Sequence, residues 1–531
     1  MQKDHDKDFI LSGISMGFDI VNSAIIPDRV EVDNYNSATA LSNKYKVEKQ
    51  ICEELEEGRY IYVKTKPRIV SALGAIDKSN GGIRIIHDCS KPDFKALNDY
   101  VTKCEPFSYQ TVSDACRLIN SGYFLAKVDL KSAYRSVPIH PSNYQFTGLK
   151  WQFTGDKFPR YMVDTRLMFG SRLAPSVFHR LSQAVRRIMF RKYNVHIVSY
   201  LDDFLIVAPT YNDCNRNLFR LLSLLRNLGF DIAWDKVISP SQNVTFLGIN
   251  FNTVTMQMTL PDDKLRSLED LIKHYLQAKR ASRRELESLA GKLNYAAFLV
   301  LGGSTYLRRL LNFMQKLKRP HHKAKLTKEF YADLLWWAAC LRIFNGKDII
   351  ARDRPIHVVG IDACQQGCGF VTRNDWGYCN WELDFPVAKH MHINFKEVLS
   401  FLFAVRRWAP AWQGARILVG TDSVVAKSII QKNTCNNPMV LAALREIFWH
   451  AVYYDFCIDT FHIPGYLNEV PDAVSRLHTL GEAFRLKSLL SKYQIVECPL
   501  IYHMSYKSHI YLLQRWSRCW TGKLCTSGHI P

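Results

Sequence analysis

Apolar positions along the chain change their spacing several times, and the changes divide it before any chemistry is considered. Residues 1–55 are polar and weakly patterned, closing on "KYKVEKQICEELEEGRY", whose spacing predicts a helix. Residues 56–255 alternate β-rich runs ("FLAKVDL", "HIVSYLDDFLIVA", "VTFLGINF") with helical ones such as "SVFHRLSQAVRRIMFRKY" and "CNRNLFRLLSLLRNLGF". That alternation predicts an α+β or α/β domain. Residues 256–350 turn helical and basic, with Lys and Arg recurring opposite the Leu positions. Such helices can bury one face and either solvate the other or offer it to phosphates. Residues 351–480 open on "RPIHVVGIDACQQGCGFV" and are strand-rich, and residues 481–531 show no clear period. A chain of 531 residues is too long for one core, so the pattern predicts a multidomain α+β and α/β protein.

Charge narrows the partners. The chain has 70 Lys and Arg against 49 Asp and Glu, a formal net charge of +21. An excess of that size marks a polyanion-binding protein, with nucleic acid first and an anionic membrane surface or a merely basic surface as the alternatives. The first residues lack a signal-peptide core, and no apolar run approaches the 20 or so residues that span a bilayer. The protein is therefore expected inside the cell, in nucleus or cytoplasm, without a membrane partner. Its 14 cysteines are scattered and expected as thiols. Cys364 and Cys368 lack a further ligand at zinc spacing and read as packing, and His321 and His322 as solvated.

One stretch conflicts with burial. "VSYLDDFLIVAP" reads as a buried strand, yet it carries Asp202 and Asp203 side by side. Ionised carboxylates leave water only when a cation or hydrogen-bond donors replace it. A third acid, Asp129, ends the apolar run of "AKVDLKSAYRSVPIHP". Three carboxylates from two neighbouring strands can hold two Mg²⁺ about 4 Å apart, which activates a 3′-hydroxyl and stabilises a leaving pyrophosphate. The alternative, a hairpin turn at the pair, is disfavoured because "FLIVA" follows, with neither Gly nor Asn.

Together "YLDD" and "VDLKSAY" resemble the metal-binding motifs of reverse transcriptases, and the remaining motifs follow in order. "GGIRIIHDCSKPDFKALND" resembles the fingers motif whose Arg, here Arg84, contacts the incoming triphosphate. "MFGSRLAPSVF", with Gly170, resembles the motif that packs on the nascent base pair. "GFDIAWDKV" resembles the lysine motif, and "FLGINF" the primer grip. The resemblance implies a right-hand polymerase with palm and fingers in residues 56–255 and a helical thumb or connection in residues 256–350. It places Tyr134 where a bulky side chain obstructs the ribose 2′-hydroxyl, and Lys236 where a lysine is proposed to protonate pyrophosphate. A core tyrosine is the plain alternative for Tyr134.

A second set of acids lies in residues 351–480. "VVGIDA" carries Asp362, "INFKEVLSFLFAVRRW" Glu397, "ILVGTDS" Asp422 and "NEVPDAVSRL" Asp472. In this order they resemble the four carboxylates of ribonuclease H, which bind two Mg²⁺ and direct water at an RNA phosphate. "FHIPGYLNEVPDAVSRL" resembles the end of retrotransposon ribonuclease H domains, with His462 as a candidate for product release. An α/β ribonuclease H-like domain is thus implied for residues 351–480, between an N-terminal extension (1–55), the polymerase parts and a tail of unknown role (481–531).

Within the family, "HDCSKPDFKALND", "LESLAGKLNYAAFLVLGGSTYLRRLL" and "FAVRRWAPAWQGARILVGTDS" look most like the DIRS class of retrotransposons, with gypsy-class LTR elements as near neighbour. That class pairs the enzyme with a tyrosine recombinase, so an element-encoded recombinase and a capsid-like protein are implied partners. Protease, zinc-knuckle, integrase and recombinase motifs are not found, so an enzyme module or one open reading frame is expected. The resemblance implies an RNA-directed and DNA-directed DNA polymerase with ribonuclease H activity. Its substrates would be an RNA template, a DNA primer, deoxynucleoside triphosphates and RNA–DNA hybrid, with Mn²⁺ able to replace Mg²⁺. The catalytic and metal-holding residues would be Asp129, Asp202, Asp203, Asp362, Glu397, Asp422 and Asp472. An RNA polymerase of RNA, which needs neither a 2′-hydroxyl gate nor a ribonuclease H domain, and a decayed nucleic-acid-binding scaffold are the rivals.

Overall fold

The computed structural model describes residues 4–493 except 23–24, 28–29, 79–80, 102–105 and 350–353. Most of the 481–531 tail therefore lies outside the described residues. The chain divides into two compact units, Met1–Gln257 and Met258–Pro531.

The first unit is built around an antiparallel sheet in the order Ile238–Ser241, Phe124–Asp129, Asp203–Ala208, Ile197–Tyr200. Side chains alternate across it. Ala126, Val128, Phe204 and Ile206 face the main core, together with Val177, Phe178 and Leu181 of helix Ala174–Tyr193 and Leu218, Leu221 and Leu225 of helix Tyr211–Asn227. The second helix is amphipathic at helical spacing and is capped by Thr210, whose hydroxyl accepts from the Asp213 N–H at 3.1 Å. The opposite face of the sheet carries Leu125, Lys127 and Asp129 on one strand and Asp203 and Leu205 on the next. Residues near the N-terminus belong to this same core. Ile10, Phe18, Ile20 and Val21 are buried in it, and Arg187 holds Asp4 at 2.7 Å and Asp6 at 2.9 Å.

A five-stranded sheet (Val32–Asp33, Ile69–Val70, Gly148–Trp151, Arg160–Asp164, Tyr60–Tyr62) and the hairpin Ala72–Asp77/Ile83–Asp88 complete the unit. Buried Arg135 joins these parts. Its guanidinium donates to Glu54 at 2.8 and 3.0 Å and to Asp164 at 2.7 Å. Burial beside this charge drives the neighbouring His87 imidazole down to about 3, so it sits there neutral.

The second unit begins with four helices, Asp262–Gln277, Arg283–Ala296, Gly303–Gln315 and Lys328–Cys340. A five-stranded mixed sheet comes next in the order Trp376–Asn380, Gly367–Val371, Ile356–Ala363, Arg416–Thr421, Cys457–His462, the first three antiparallel and the last three parallel. Helix Ile393–Trp408 crosses it, with Val398, Leu399, Phe401, Leu402 and Val405 buried. With its strand order 3-2-1-4-5 and a helix across it this is a mixed α/β domain, so the multidomain α/β architecture expected from the sequence is present. Tyr306 and Trp336, stacked at 4.1 Å, meet Phe448 of helix Pro438–Tyr453, and Asp333 accepts from Arg445 at 2.8 Å. These contacts weld the four helices to the sheet domain.

Candidate active sites

The first site forms where two strands of the first unit end together. Asp129 lies directly opposite Asp203 in register, and Tyr200 opposite Asp203 on the other side. Leu201 and Asp202 make the two-residue turn between those strands, so Asp202 does sit in a hairpin turn, the alternative that the sequence disfavoured for the pair, while Asp203 opens the following strand. The reason is Leu201, which takes φ +53° where such turns take Gly. Positive φ at a bulky residue costs on the order of 1–3 kcal/mol and is held only where the surroundings impose it. Here the Leu130 N–H donates to the Asp202 carbonyl at 3.1 Å, pinning the turn to the end of the Asp129 strand.

The same strand end recruits the lysine motif. Ala233 N–H donates to the Asp129 carbonyl at 2.9 Å, and Lys131 N–H to that of Asp231 at 2.8 Å. Lys236 then brings its ammonium to 3.3 Å from Asp129 Oδ2. Lys127, which sequence reasoning passed over, lies 3.0 Å from Asp203 Oδ1 and 3.9 Å from Asp129 Oδ2. Its position two residues before Asp129 was the available signal, since period two puts both on one face. Burial raises Asp202, and raises Asp203 to about 6 against the opposing pull of Lys127. Asp129, Asp202 and Asp203 are not drawn into a group with ligand atoms all within 4.8 Å; two ammonium groups supply the countercharge instead. Asp202 and Asp203, pushed upward by burial against the pull of neighbouring cations, make with Asp129 a donor set that suits divalent metal.

Around this centre, Arg84 lies exposed on the strand Ile83–Asp88 with its guanidinium 4.7 Å from the Phe169 ring centre. Tyr134 packs between Phe169 at 5.1 Å and Phe178 at 5.6 Å, and burial pushes its hydroxyl up to about 12. Gly170 takes φ +124° against the strand Ile83–Asp88 of the hairpin. The residues of "FLGINF" form a hairpin whose turn, Leu247–Gly248, has both residues at positive φ.

The second site lies in the second unit. Asp362, Glu397 and Asp422 bring carboxylate oxygens within 4.8 Å of one another. Glu397 reaches across from its helix to accept from Ala363 N–H at 3.1 Å and from the Thr421 hydroxyl at 3.3 Å. Burial, then the charges of Asp362 and Asp422, raise Glu397 to about 9; burial raises Asp362 to about 7. Among the described residues none of the three forms an ion pair, and the three carboxylates together are a donor set that suits divalent metal. Asp472 is not drawn in: Arg476 holds it at 2.8 Å and Arg485, on helix Glu482–Lys492, at 3.1 Å. His462 Nε2 lies 3.1 Å from the Asp422 carbonyl. Asn468 was missed in the sequence; buried, it donates to the Ile361 carbonyl at 3.1 Å and lies 3.5 Å from Asp362 Oδ1. Asp4, His5 and Asp6 also cluster, but Arg180, Arg187 and Arg191 occupy the two carboxylates.

Residues 76–251 match the family model for reverse transcriptase (RNA-dependent DNA polymerase). The chain carries a reverse transcriptase domain. This domain is of the kind found in retroelement polyproteins. The chain is 29% identical over 160 residues to the Gag-Pol polyprotein of koala retrovirus, covering 29% of this chain and 9% of that protein. It is 22% identical over 411 residues to the transposon Tf2-3 polyprotein of Schizosaccharomyces pombe, covering 76% of this chain and 28% of that protein. It thus spans less than a third of either relative. In fold, the chain resembles the foamy viral protease-reverse transcriptase in its complex with dsDNA, with TM-score 0.54, 17% identity, and coverage of 84% of this chain and 87% of that one.

Proposed function

We propose that the chain is an RNA-directed and DNA-directed DNA polymerase that also cleaves the RNA of the hybrid it makes. The observation that carries the first activity is the pairing of Asp129 with Asp203 beside the Asp202 turn, inside the reverse transcriptase domain. Two Mg²⁺, or Mn²⁺ in their place, held by Asp129, Asp202 and Asp203 would supply the charge that acidifies the primer 3′-hydroxyl and stabilises pyrophosphate. Arg84, a permanent cation at an exposed strand position, binds triphosphate oxygens of the incoming deoxynucleotide. Tyr134, wedged by two phenylalanines, presents a fixed wall where a 2′-hydroxyl would lie. Lys236, exposed enough to leave Asp129, can deliver a proton to the pyrophosphate oxygen.

For the second activity the carrying observation is the unpaired group Asp362, Glu397 and Asp422 in a ribonuclease H-like sheet. Asp472 completes the set once it leaves Arg476 and Arg485. The motif text of residues 87–99, 286–311 and 403–423 favours the DIRS class, with a recombinase and a capsid-like protein as partners in the element.

The test is extension of a labelled DNA primer on an RNA template by the purified chain with deoxynucleotides and Mg²⁺, with the template labelled separately. Extension followed by template shortening is expected. A folded chain that binds hybrid yet does neither is a nucleic-acid scaffold.

A further inference from the structure

A strip of the first unit leads away from the Asp202 hairpin and is used by none of the roles above. His179, Gln183, Arg186 and Phe190 lie at helical spacing on one face of helix Ala174–Tyr193. At one end the buried His179 ring stacks under Phe107 at 4.9 Å and 26°, and Tyr109 bridges His179 (5.2 Å) to Tyr200 (5.1 Å). Phe107 is 40% exposed, so a phenyl ring backed by a buried ring is presented to solvent beside the hairpin. His179 Nδ1 is buried without a partner.

At the other end, where Phe190 stacks on His196 at 4.7 Å, a pocket of about 290 Å³ is lined by Arg186, Arg187, Phe190, Arg191 and His196. Arg187 and Arg191 are committed to Asp4 and Asp6. Arg186 is not: its Nε donates to Gln183 Oε1 at 2.7 Å, and among the described residues no carboxylate lies within ion-pair distance of it. Asp114, the acid it senses, is held by Arg117 at 2.9 Å. A half-buried, uncompensated guanidinium in a basic pocket calls for an anion.

We propose that this strip is a second contact for the nucleic-acid duplex, with Arg186 taking a backbone phosphate and the Phe107 ring packing on the sugar and base of the same strand nearer the hairpin. The inference rests on the polymerase reading and deepens it. Tyr200 pairs with Asp203 and shares its face of the sheet, whereas Ile197, three residues along the same edge strand, turns to the helix face where it borders the pocket, so the two ends of the strip lie about 10 Å apart along the edge, about three nucleotides at 3.4 Å per step. The strip thus starts beside the hairpin at Phe107, Tyr109 and Tyr200 and passes around the edge strand to Arg186 on the helix face, a course open to a strand that leaves the hairpin over the sheet's edge. Aromatic rings interleaved with arginine suit that occupant, since rings take any base and the cation takes phosphate.

The test uses the full chain and a fluorescent RNA–DNA hybrid, with anisotropy measured from low to high salt. Arg186→Gln is expected to weaken binding several-fold at low salt and to lower the slope of log K against log salt by about one phosphate's worth. Arg186→Lys keeps the slope, and Phe107→Ser weakens binding about five-fold or more with the slope intact. Unchanged slope and affinity in Arg186→Gln, with melting temperature near wild type, overturns the proposal. So does inorganic phosphate or pyrophosphate stabilising wild type but not Arg186→Gln while hybrid binding is equal, which marks a small-anion pocket. A change in the chain's mass in solution at equal hybrid binding marks a protein interface and overturns it too. Were Arg186→Gln to unfold, Arg186→Lys and Phe107→Ser still decide. Wild-type extension with an unchanged slope fails the strip alone; an altered slope without extension fails the polymerase reading alone.

Discussion

Gly170→Ala replaces a single hydrogen by a methyl group where the hairpin Ala72–Asp77/Ile83–Asp88 rests close to the Asp129/Asp202/Asp203 centre. A Cβ built there would lie 1.8 Å from the His87 carbonyl oxygen and 3.0 Å from its carbon. Both atoms are backbone, so the strand Ile83–Asp88 must retreat by more than an ångström. The φ of +124° adds strain of about 1–3 kcal/mol for any residue with a side chain. Retreat also stretches the His87 N–H bond to the Phe169 carbonyl, now 2.8 Å, worth about 0.5–1.5 kcal/mol. The sum, about 1.5–4.5 kcal/mol, falls on the strand that carries Arg84 over the Phe169 ring. We expect a lower melting temperature for the first unit and a KM for deoxynucleotide raised at least tenfold, read by calorimetry and by single-nucleotide extension. A variant within about 0.5 kcal/mol of wild type, the spread of neutral surface changes, with unchanged KM, would refute the docking of Arg84 through Gly170.

Three further outcomes rest on the same geometry. Tyr134→Val opens the wall beside Phe169 and Phe178 and should improve incorporation of ribonucleotides about tenfold or more, as removal of a steric block of about 1–3 kcal/mol does; unchanged sugar preference would leave Tyr134 as a core residue. Arg135→Met strands Asp164 as a buried, uncompensated charge, leaves Glu54 only the more distant Arg59 at 3.7 Å, and should destabilise the first unit by about 3–5 kcal/mol, a loss that a calorimetric scan would detect. Because Asp362 and Glu397 have raised values, about 7 and about 9, the metal-free folded chain holds protons that the unfolded chain releases. Its stability therefore falls as pH rises from about 5 to 9, while Mg²⁺, which needs ionised carboxylates, should stabilise more at pH 9 than at pH 6. Equal pH dependence in Glu397→Gln would contradict this.

Local pattern made some features legible and topology hid others. Period two placed Asp129 at a strand end, and helical spacing placed Glu397 on an amphipathic helix. The turn at Leu201–Asp202 was misread because its geometry is imposed by the neighbouring strand, through the Leu130 to Asp202 bond, and not by the turn's own residues. Arg135 could not be read at all, since its partners lie 81 and 29 residues away. The pairing of Asp472 with Arg485 depends on helix Glu482–Lys492, whose Leu486 and Leu490 pack on Val470 and Val474 of the Glu469–Ser475 helix. Those two leucines, four apart, were a weak signal in a segment with no longer period. Lys127 was legible by spacing alone, but a lysine between two acids is bland until the register sets it beside Asp203.

The most direct measurement compares wild type with Asp202→Asn/Asp203→Asn and Glu397→Gln on one primed RNA template, following primer and template in the same reaction. Extension lost only in the first variant and template cleavage lost only in the second is the predicted result, two independent carboxylate centres in one chain. Extension that survives Asp202→Asn/Asp203→Asn, or cleavage that survives Glu397→Gln, would contradict the assignment of the corresponding centre.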